Sequence, residues 1–323
     1  MFTSYDYFQT ADGLHIRWGY LPPPSPAPRG SVVLLNGRTE YLEKYGETAD
    51  DLNRRGFAVY SMDWRGQGLS DRLVANRLKG HVGRFEDYLD DLERFINLVE
   101  HHGAPRPLIL MGHSMGGHIG VRFIREGRHP FERAVLTSPM IDIELPAVPW
   151  RLLRGYVRMA EHLGFRRAFA PGGAAYEQKD RIFANNPLTS DRERFQRRLE
   201  DIRADPRLAL GGVTYGWLKA AFDSIERVVI PEFARGLTLP LLIVRATEDR
   251  IVGRKAQERF CRRAPDCRLV DIPGAKHELL VETDAKRRIF WQAFDRFVAD
   301  LGSVKPGTHP AALSDASRPN RLN

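Results

Sequence analysis

The sequence predicts an α/β fold: a mostly parallel sheet with helices on both faces and an inserted helical cap. Three observations predict it. Over the first 138 residues short apolar runs alternate with segments of helical periodicity, the pattern of parallel strands joined by crossover helices. One of those runs, Leu108-Ile109-Leu110-Met111, leads into Gly112-His113-Ser114-Met115-Gly116-Gly117 and then into a small-residue helix start, the sequence form of a sharp strand-to-helix elbow. Between about Pro139 and Arg235 the rhythm breaks into Arg-rich, aromatic, helical sequence without good strand runs, and afterwards it resumes.

In chain order, residues 5–8 and 14–20 read as strands joined by Ala11-Asp12-Gly13, where Asp-Gly favours a tight turn. The run Pro22-Pro23-Pro24-Ser25-Pro26-Ala27-Pro28 cannot donate ladder hydrogen bonds and reads as a stiff surface connection. Strands are expected at 31–36, 57–62 and 133–137, with helices at 42–55, 85–101 and from the elbow to about residue 128. After the insertion come a strand at 239–245, a helix at 254–263, a strand at 268–272 and a helix at 286–301. Ile289, Phe290, Ala293, Phe294 and Phe297 share one face of that last helix and read as core. Residues 302–323 are polar and read as a disordered tail. The expected division is therefore 1–138 and 236–301 as the two parts of the core, 139–235 as the cap and 302–323 as the tail.

With 323 residues, 42% hydrophobic and 28% charged, the chain can bury one large core with an insertion. Its net charge of +8 suits an anionic surface. No helix-turn-helix, zinc-knuckle or aromatic-basic ribonucleoprotein signature accompanies that charge, so nucleic acid is not an expected partner. The start of the chain lacks the basic and apolar regions of a secretory signal, and no apolar run approaches a membrane span, so any membrane contact is expected to be peripheral. Cys261 and Cys267 suggest neither a disulfide framework nor a zinc site, and such usage suits a reducing compartment. The expected location is cytoplasmic, with room for peripheral contact at the inner face of the membrane.

The chemistry follows from the elbow. A serine hydroxyl is a weak nucleophile at neutral pH and needs a base, with a carboxylate to hold that base in the right tautomer. Ser114 is the candidate nucleophile. His113 and His118 flank it, but a base must come from a different strand to face the hydroxyl, so both read as packing or hydrogen-bonding residues. Reactive groups of parallel sheets collect at the carboxyl ends of strands, and in this topology they follow the order Ser, acid, His. The strand at 239–245 runs into Thr247-Glu248-Asp249, which makes Asp249 the candidate acid and Glu248 the alternative; an N-cap ahead of residue 254 is the structural reading of either. The strand at 268–272 runs into Pro273-Gly274-Ala275-Lys276-His277, which makes His277 the base, whereas His309 falls in the tail. Oxyanion donors are expected from the backbone N–H of Met115 and of Arg38. Asp63, Arg65, Gly66, Gly68 and Ser70 read as a structural turn near the site. Nothing calls for a metal or an organic cofactor.

These residues resemble the α/β-hydrolase superfamily, and within it the monoacylglycerol lipase and bacterial lysophospholipase group. The resemblance rests on the elbow Gly112-His113-Ser114-Met115-Gly116-Gly117, the turn Asp63-x-Arg65-Gly66-x-Gly68-x-Ser70 and the pair His277-Glu278. It extends to Asn36-Gly37-Arg38-Thr39-Glu40, Gly80-His81-Val82 and Gly211-Gly212-Val213-Thr214-Tyr215, and spans about residues 5–301. Many members carry His-Gly where this chain has Asn36-Gly37. The resemblance implies an α/β-hydrolase fold and a serine hydrolase that cleaves the ester of a single-chain glycerolipid, lysophospholipid or monoacylglycerol, releasing a fatty acid without a cofactor. The same triad would serve a carboxylesterase or a prolyl aminopeptidase-like peptidase, and a non-catalytic ligand receptor is the alternative of another class. Dehalogenase and epoxide hydrolase chemistry is disfavoured, because those relatives place Asp at the nucleophile position.

Within the cap, Trp150, Leu153, Tyr156, Val157, Ala160 and Leu163 form one apolar helical face, while Arg151, Arg154, Arg158, Arg166 and Arg167 have only Glu161 nearby in sequence. Such a helix suits an anionic lipid surface as well as it suits a solvated outer face. Trp150, Tyr156 and Trp217 are the candidate substrate-contacting aromatics.

Overall fold

Each expected apolar run becomes a strand. In the computed structural model, which describes residues 2–144, 150–176, 182–184 and 186–301, these are β1 (Ser4–Gln9), β2 (His15–Leu21), β3 (Gly30–Leu35), β4 (Phe57–Met62), β5 (Leu108–His113), β6 (Arg133–Thr137), β7 (Leu241–Ala246) and β8 (Cys267–Ile272). They form one eight-stranded sheet in the order β1-β2-β4-β3-β5-β6-β7-β8. The β1–β2 hairpin joins β4 antiparallel, and every other pairing is parallel. Every residue of β3, β4 and β5 is buried, as strands covered on both faces must be.

The two-residue period of the strands divides the core between the faces. Val33, Leu35, Leu108 and Leu110 pack with residues of α2 (Glu86–His101) and α3 (Met115–Glu126). Val32, Leu34, Ile109 and Met111 pack on the other side with α1 (Gly46–Arg54) and with Phe290, Phe294 and Phe297 of the last helix. Between β6 and β7 the chain forms α4 (Trp150–His162), α5 (Arg192–Ala204), α6 (Tyr215–Val228) and α7 (Pro231–Arg235), and α8 (Arg254–Arg263) and α9 (Asp284–Phe297) follow. Because β6 and β7 are parallel neighbours, the inserted helices leave and rejoin the sheet at adjacent strands.

Most boundaries shift by a residue or two, and three differences stand out. The helix expected at 42–55 divides into a 3-10 turn, Leu42–Tyr45, and α1. β7 begins at Leu241, because Pro240 has no N–H for the ladder; its carbonyl accepts from Ala134 N at 3.0 Å. The last helix stops at Phe297. The expected tail, 302–323, lies outside the described residues.

The expectation for the cysteines is corrected. Cys261 and Cys267 are disulfide-bonded, because the turn from α8 into β8 returns the chain until their Cα atoms are 5.3 Å apart. Cysteine usage therefore gives no support to a reducing compartment.

One carboxylate of the core gathers cations from an inserted helix and from the last helix. Glu47 of α1 accepts from Arg194 Nη2 of α5 at 2.6 Å and from Arg197 at 3.2 Å, and Arg287 of α9 binds it as well. Arg194 also reaches Asp284 at 2.6 Å. Burial works to raise Glu47, but the three guanidinium groups overcome it and hold the carboxyl down to about 2. A folded-state value below the unfolded one means that this stabilisation is complete above the ordinary value of about 4.5 and is lost as the pH falls toward 2. Glu47→Gln is expected to remove that acid limb. Urea midpoints measured from pH 6 to about pH 3 should fall less steeply for the variant than for the wild type, and parallel curves would refute the assignment.

Candidate active site

β5 ends at His113 and α3 begins at Met115, which leaves Ser114 alone at the elbow with φ +50° and ψ −114°. A positive φ is costly for a residue with a side chain and persists only where the surroundings impose it. Here they do. A Cβ on Gly112 would lie 2.8 Å from Gly117 Cα, and one on Gly116 would lie 2.4 Å from the Leu35 carbonyl oxygen, so strand, helix and neighbouring strand meet at backbone contact distance. Ser114 N donates to Thr137 O and Met140 N donates to Ser114 O, both at 3.0 Å, so the end of β6 is bound into the same turn.

The three predicted side chains converge at this elbow. His277 Nε2 lies 2.9 Å from Ser114 Oγ, and His277 Nδ1 lies 2.7 Å from Asp249 Oδ2. Asp249 Oδ1 accepts from the amides of Ile251 at 2.8 Å and Val252 at 3.2 Å, which aims the other oxygen at the imidazole. Burial acts to raise Asp249, but the His277 ring and the two amides outweigh it and leave the carboxyl below its ordinary value. Glu248, the alternative acid, is exposed. The arrangement holds a hydroxyl, an imidazole and an ionised carboxylate in one buried line, which can move a proton off the serine oxygen.

The two flanking histidines have other partners. His113 Nδ1 lies 3.1 Å from Thr137 O, and burial pushes the ring down to about 4. His118 donates from Nδ1 to Met140 O at 2.9 Å and accepts at Nε2 from Ser224 Oγ at 2.6 Å; burial pushes it down to about 3. Both are neutral packing residues. The turn after β4 is likewise structural. Asp63 accepts from Leu42 N and Leu69 N, each at 2.9 Å, Ser70 Oγ donates to Asp63 O, and Arg65 is forked onto Asp91 at 2.6 Å.

Among the described residues no hydrogen bond uses the amides of Met115 or Arg38, the two predicted oxyanion donors. Their loop is clamped on both sides. Trp64 Nε1 donates to Asn36 O and Gln67 Nε2 to Gly37 O, each at 2.8 Å, while the Gly37 amide donates to Glu40 Oε2. Glu40 is wholly buried with Tyr45 Oη at 2.6 Å and Lys44 Nζ at 2.7 Å, and Lys44 reaches Glu278 at 2.7 Å. Burial works to raise Glu40, but Lys44 outweighs it and keeps the carboxyl ionised, well below its usual range. This Glu40–Lys44–Glu278 network ties the Arg38 loop to the His277 loop. Residues 40 and 278 belong to the motifs the sequence displays, yet nothing in their spacing announces that a lysine joins them.

The predicted substrate aromatics are only partly gathered here. Trp217 is buried against Phe85, with the Arg38 guanidinium 5.8 Å above its ring. Trp150 instead packs on Phe222, and the Tyr156 hydroxyl meets that of Tyr215 at 2.7 Å, so their contacts lie between α4 and α6. The expected single apolar face of α4 is also corrected. Val157 and Ala160 are buried, but Leu152, Tyr156, Met159 and Leu163 form a second stripe that is 66, 41, 57 and 63% exposed. Arg154 pairs with Glu226 and Arg158 with Asp223, so these cations have partners on α6 that lie far away in sequence.

A family described as serine aminopeptidase, S33, matches residues 26–284. The chain is 37% identical over 276 residues to lysophospholipase L2 of Escherichia coli, covering 82% of this chain and 79% of that protein. It is 27% identical over 267 residues to the monoacylglycerol lipase of Mycolicibacterium smegmatis, covering 81% and 86%. The crystal structure of a soluble variant of monoglyceride lipase from Saccharomyces cerevisiae in complex with a substrate analog has the same fold. Its TM-score is 0.72 at 22% identity, covering 94% of this chain and 96% of that one.

Removing Glu40 strands part of a buried charge network beneath the Arg38 loop. Glu40→Ala is expected to lower the unfolding free energy by about 3 kcal/mol, read from urea unfolding. A change under about 0.5 kcal/mol would show that the network does not hold the loop.

Proposed function

The chain belongs to the α/β-hydrolase family described as serine aminopeptidase, S33, and is homologous to lysophospholipase L2 and the monoglyceride lipases; from this we propose that it cleaves the ester of a single-chain glycerolipid, a lysophospholipid or monoacylglycerol, through an acyl-enzyme on Ser114. The observation that carries this reading is the unbroken hydrogen-bonded line from Asp249 through His277 to Ser114. Ser114 Oγ attacks the ester carbonyl carbon while His277 Nε2 takes its proton, and Asp249 holds the Nδ1–H tautomer and the imidazolium that forms. The carbonyl oxygen becomes an oxyanion between the amides of Met115 and Arg38. His277 returns the proton to the departing glycerol oxygen, and a water activated by the same imidazole then releases the fatty acid and frees Ser114.

Segment 139–235 serves as the cap over this site in the proposal, and its α4 helix is the contact with an anionic membrane surface. No helix of the described residues is long and apolar enough to cross a membrane. The exposed stripe Leu152, Tyr156, Met159 and Leu163, with the exposed Arg151 beside it, supports a helix lying in the lipid interface. Because Arg154 and Arg158 are paired, apolar insertion dominates over charge in this contact.

Ser114→Ala is expected to lower kcat by about 10⁶ and Asp249→Asn by about 10⁴, measured as fatty-acid release from lysophosphatidylcholine and monoolein. A fluorophosphonate should label Ser114 in the wild type; a folded protein that takes no label is a receptor instead. Faster turnover of a prolyl amide than of either lipid would move the assignment to a peptidase. Wild-type protein is expected to sediment with vesicles containing phosphatidylglycerol, and Leu152→Ser/Met159→Ser/Leu163→Ser to remain in the supernatant. Equal sedimentation of the two would remove α4 from the membrane contact.

A further inference from the structure

A cavity of about 480 Å³ has walls that include Arg38, Thr39, Leu188, Phe195, Arg198 and Leu210. Two of its segments are bonded to the catalytic loops or belong to them. Arg38 carries the expected oxyanion amide, while Glu278 N donates to Leu188 O at 2.8 Å and so sets the wall against the His277 loop. The cavity thus shares the Arg38 loop with the proposed oxyanion site.

The cavity carries positive charge. Among its described lining residues there are two arginines and no carboxylate. Several other interior guanidinium groups are matched with acids, Arg17 with Glu43, Arg65 with Asp91, Arg122 with Glu86 and Glu126, and Arg194 with Glu47, whereas Arg72, like Arg38, donates to backbone carbonyls. Arg38 and Arg198 make no ion pair among the described residues. Arg38 donates from Nη1 to Gly211 O at 2.9 Å and lies over Trp217, while Arg198 lies over the Phe195 ring at 5.9 Å. Burial without an acid pushes the Arg38 guanidinium down to about 10, so it keeps its charge at neutral pH at a cost that an anion would remove.

We propose that Arg38 and Arg198 bind the phosphodiester of the substrate's head group and make the enzyme select lysophospholipids over monoacylglycerols. The proposal rests on the lipid-ester reading of the same site. Its reach fits. In a 1-acyl glycerophospholipid the phosphorus stands as many bonds from the ester carbonyl carbon as the Arg38 guanidinium carbon stands from its own backbone nitrogen. An arginine whose amide holds the oxyanion therefore has a side chain long enough to meet the phosphate. A guanidinium matches phosphate oxygens with parallel N–H donors, and a neutral glycerol hydroxyl gives it no charge to meet. Phe195 and Leu210 supply apolar wall beside the two forks.

The test compares lysophosphatidylglycerol and monoacylglycerol with the same short acyl chain, below their micelle concentrations, on wild type, Arg38→Met, Arg38→Lys and Arg198→Met. The expected result is a fall in the ratio of kcat/KM, lysophospholipid over monoacylglycerol, of roughly tenfold or more for each Met variant, carried mainly by KM. Arg38→Lys should recover part of it. Arg198 is remote from the elbow in sequence and sits on α5, so its variant tests the ratio independently of the oxyanion loop. Equal losses on both lipids in both Met variants would overturn the proposal while leaving the hydrolase reading intact. Inhibition by inorganic phosphate that disappears in the variants, with an unchanged ratio, would make this a free-anion site and also overturn it. A wild type that cleaves neither lipid would overturn the lipid-ester reading and the proposal together.

Discussion

The closeness of three backbones at the elbow governs the rest of the molecule. Gly116 lets the first turn of α3 rest against the carbonyl oxygens at the end of β3, and Gly112 lets the end of β5 rest against the same helix. With that contact the Met115 amide and the Arg38 loop border one space, and Ser114 is forced to a positive φ that lifts its hydroxyl clear of the sheet. A side chain at either glycine would separate the helix from the strands and part the Met115 amide from the Arg38 loop by the same movement. The backbone strain at Ser114 is thus sustained by packing on every side, as strain at a reactive residue has to be.

Around this contact the interior charges fall into two groups. Those that build the site are matched: Glu40 with Lys44, Lys44 with Glu278, Arg65 with Asp91. Taking such ions out of water costs several kcal/mol each, which only close partners and further hydrogen bonds return, so each pair constrains the loops that carry it. Arg38 and the half-buried Arg198 form no ion pair among the described residues, although Arg198 also borders a second cavity lined by Glu43, Glu47 and Asp201. Matched charge serves the architecture, and unmatched charge at a cavity wall has a ligand as its natural complement.

The hydrogen-bonded line of Asp249, His277 and Ser114 was legible because each member stands just past an apolar strand run, and because strand order in a parallel sheet fixes which loops can meet. The turn at Asp63 was legible for the same reason. What binds these loops together was not. Lys44 joins Glu40 to Glu278 across more than two hundred residues, and Gln67 reaches Gly37 from another loop, contacts that leave no periodicity in the chain. The disulfide depends on the tightness of the turn between α8 and β8. On α4 apolar residues occupy so wide an arc that which part faces inward is decided by α6, whose Asp223 and Glu226 also claim the arginines the sequence leaves unpaired.

Because β6 and β7 lie side by side, the whole roof springs from one narrow seam in the sheet and returns to it. Ser114 lies before that seam, and Asp249 and His277 lie after it, so none of the three proposed catalytic side chains belongs to the inserted segment. The roof is consequently exchangeable: another segment grafted between the same two strands would bring new selectivity while the machinery for breaking the bond stayed in register. Evolution and protein engineering can therefore alter what this scaffold accepts without first rebuilding how it cuts.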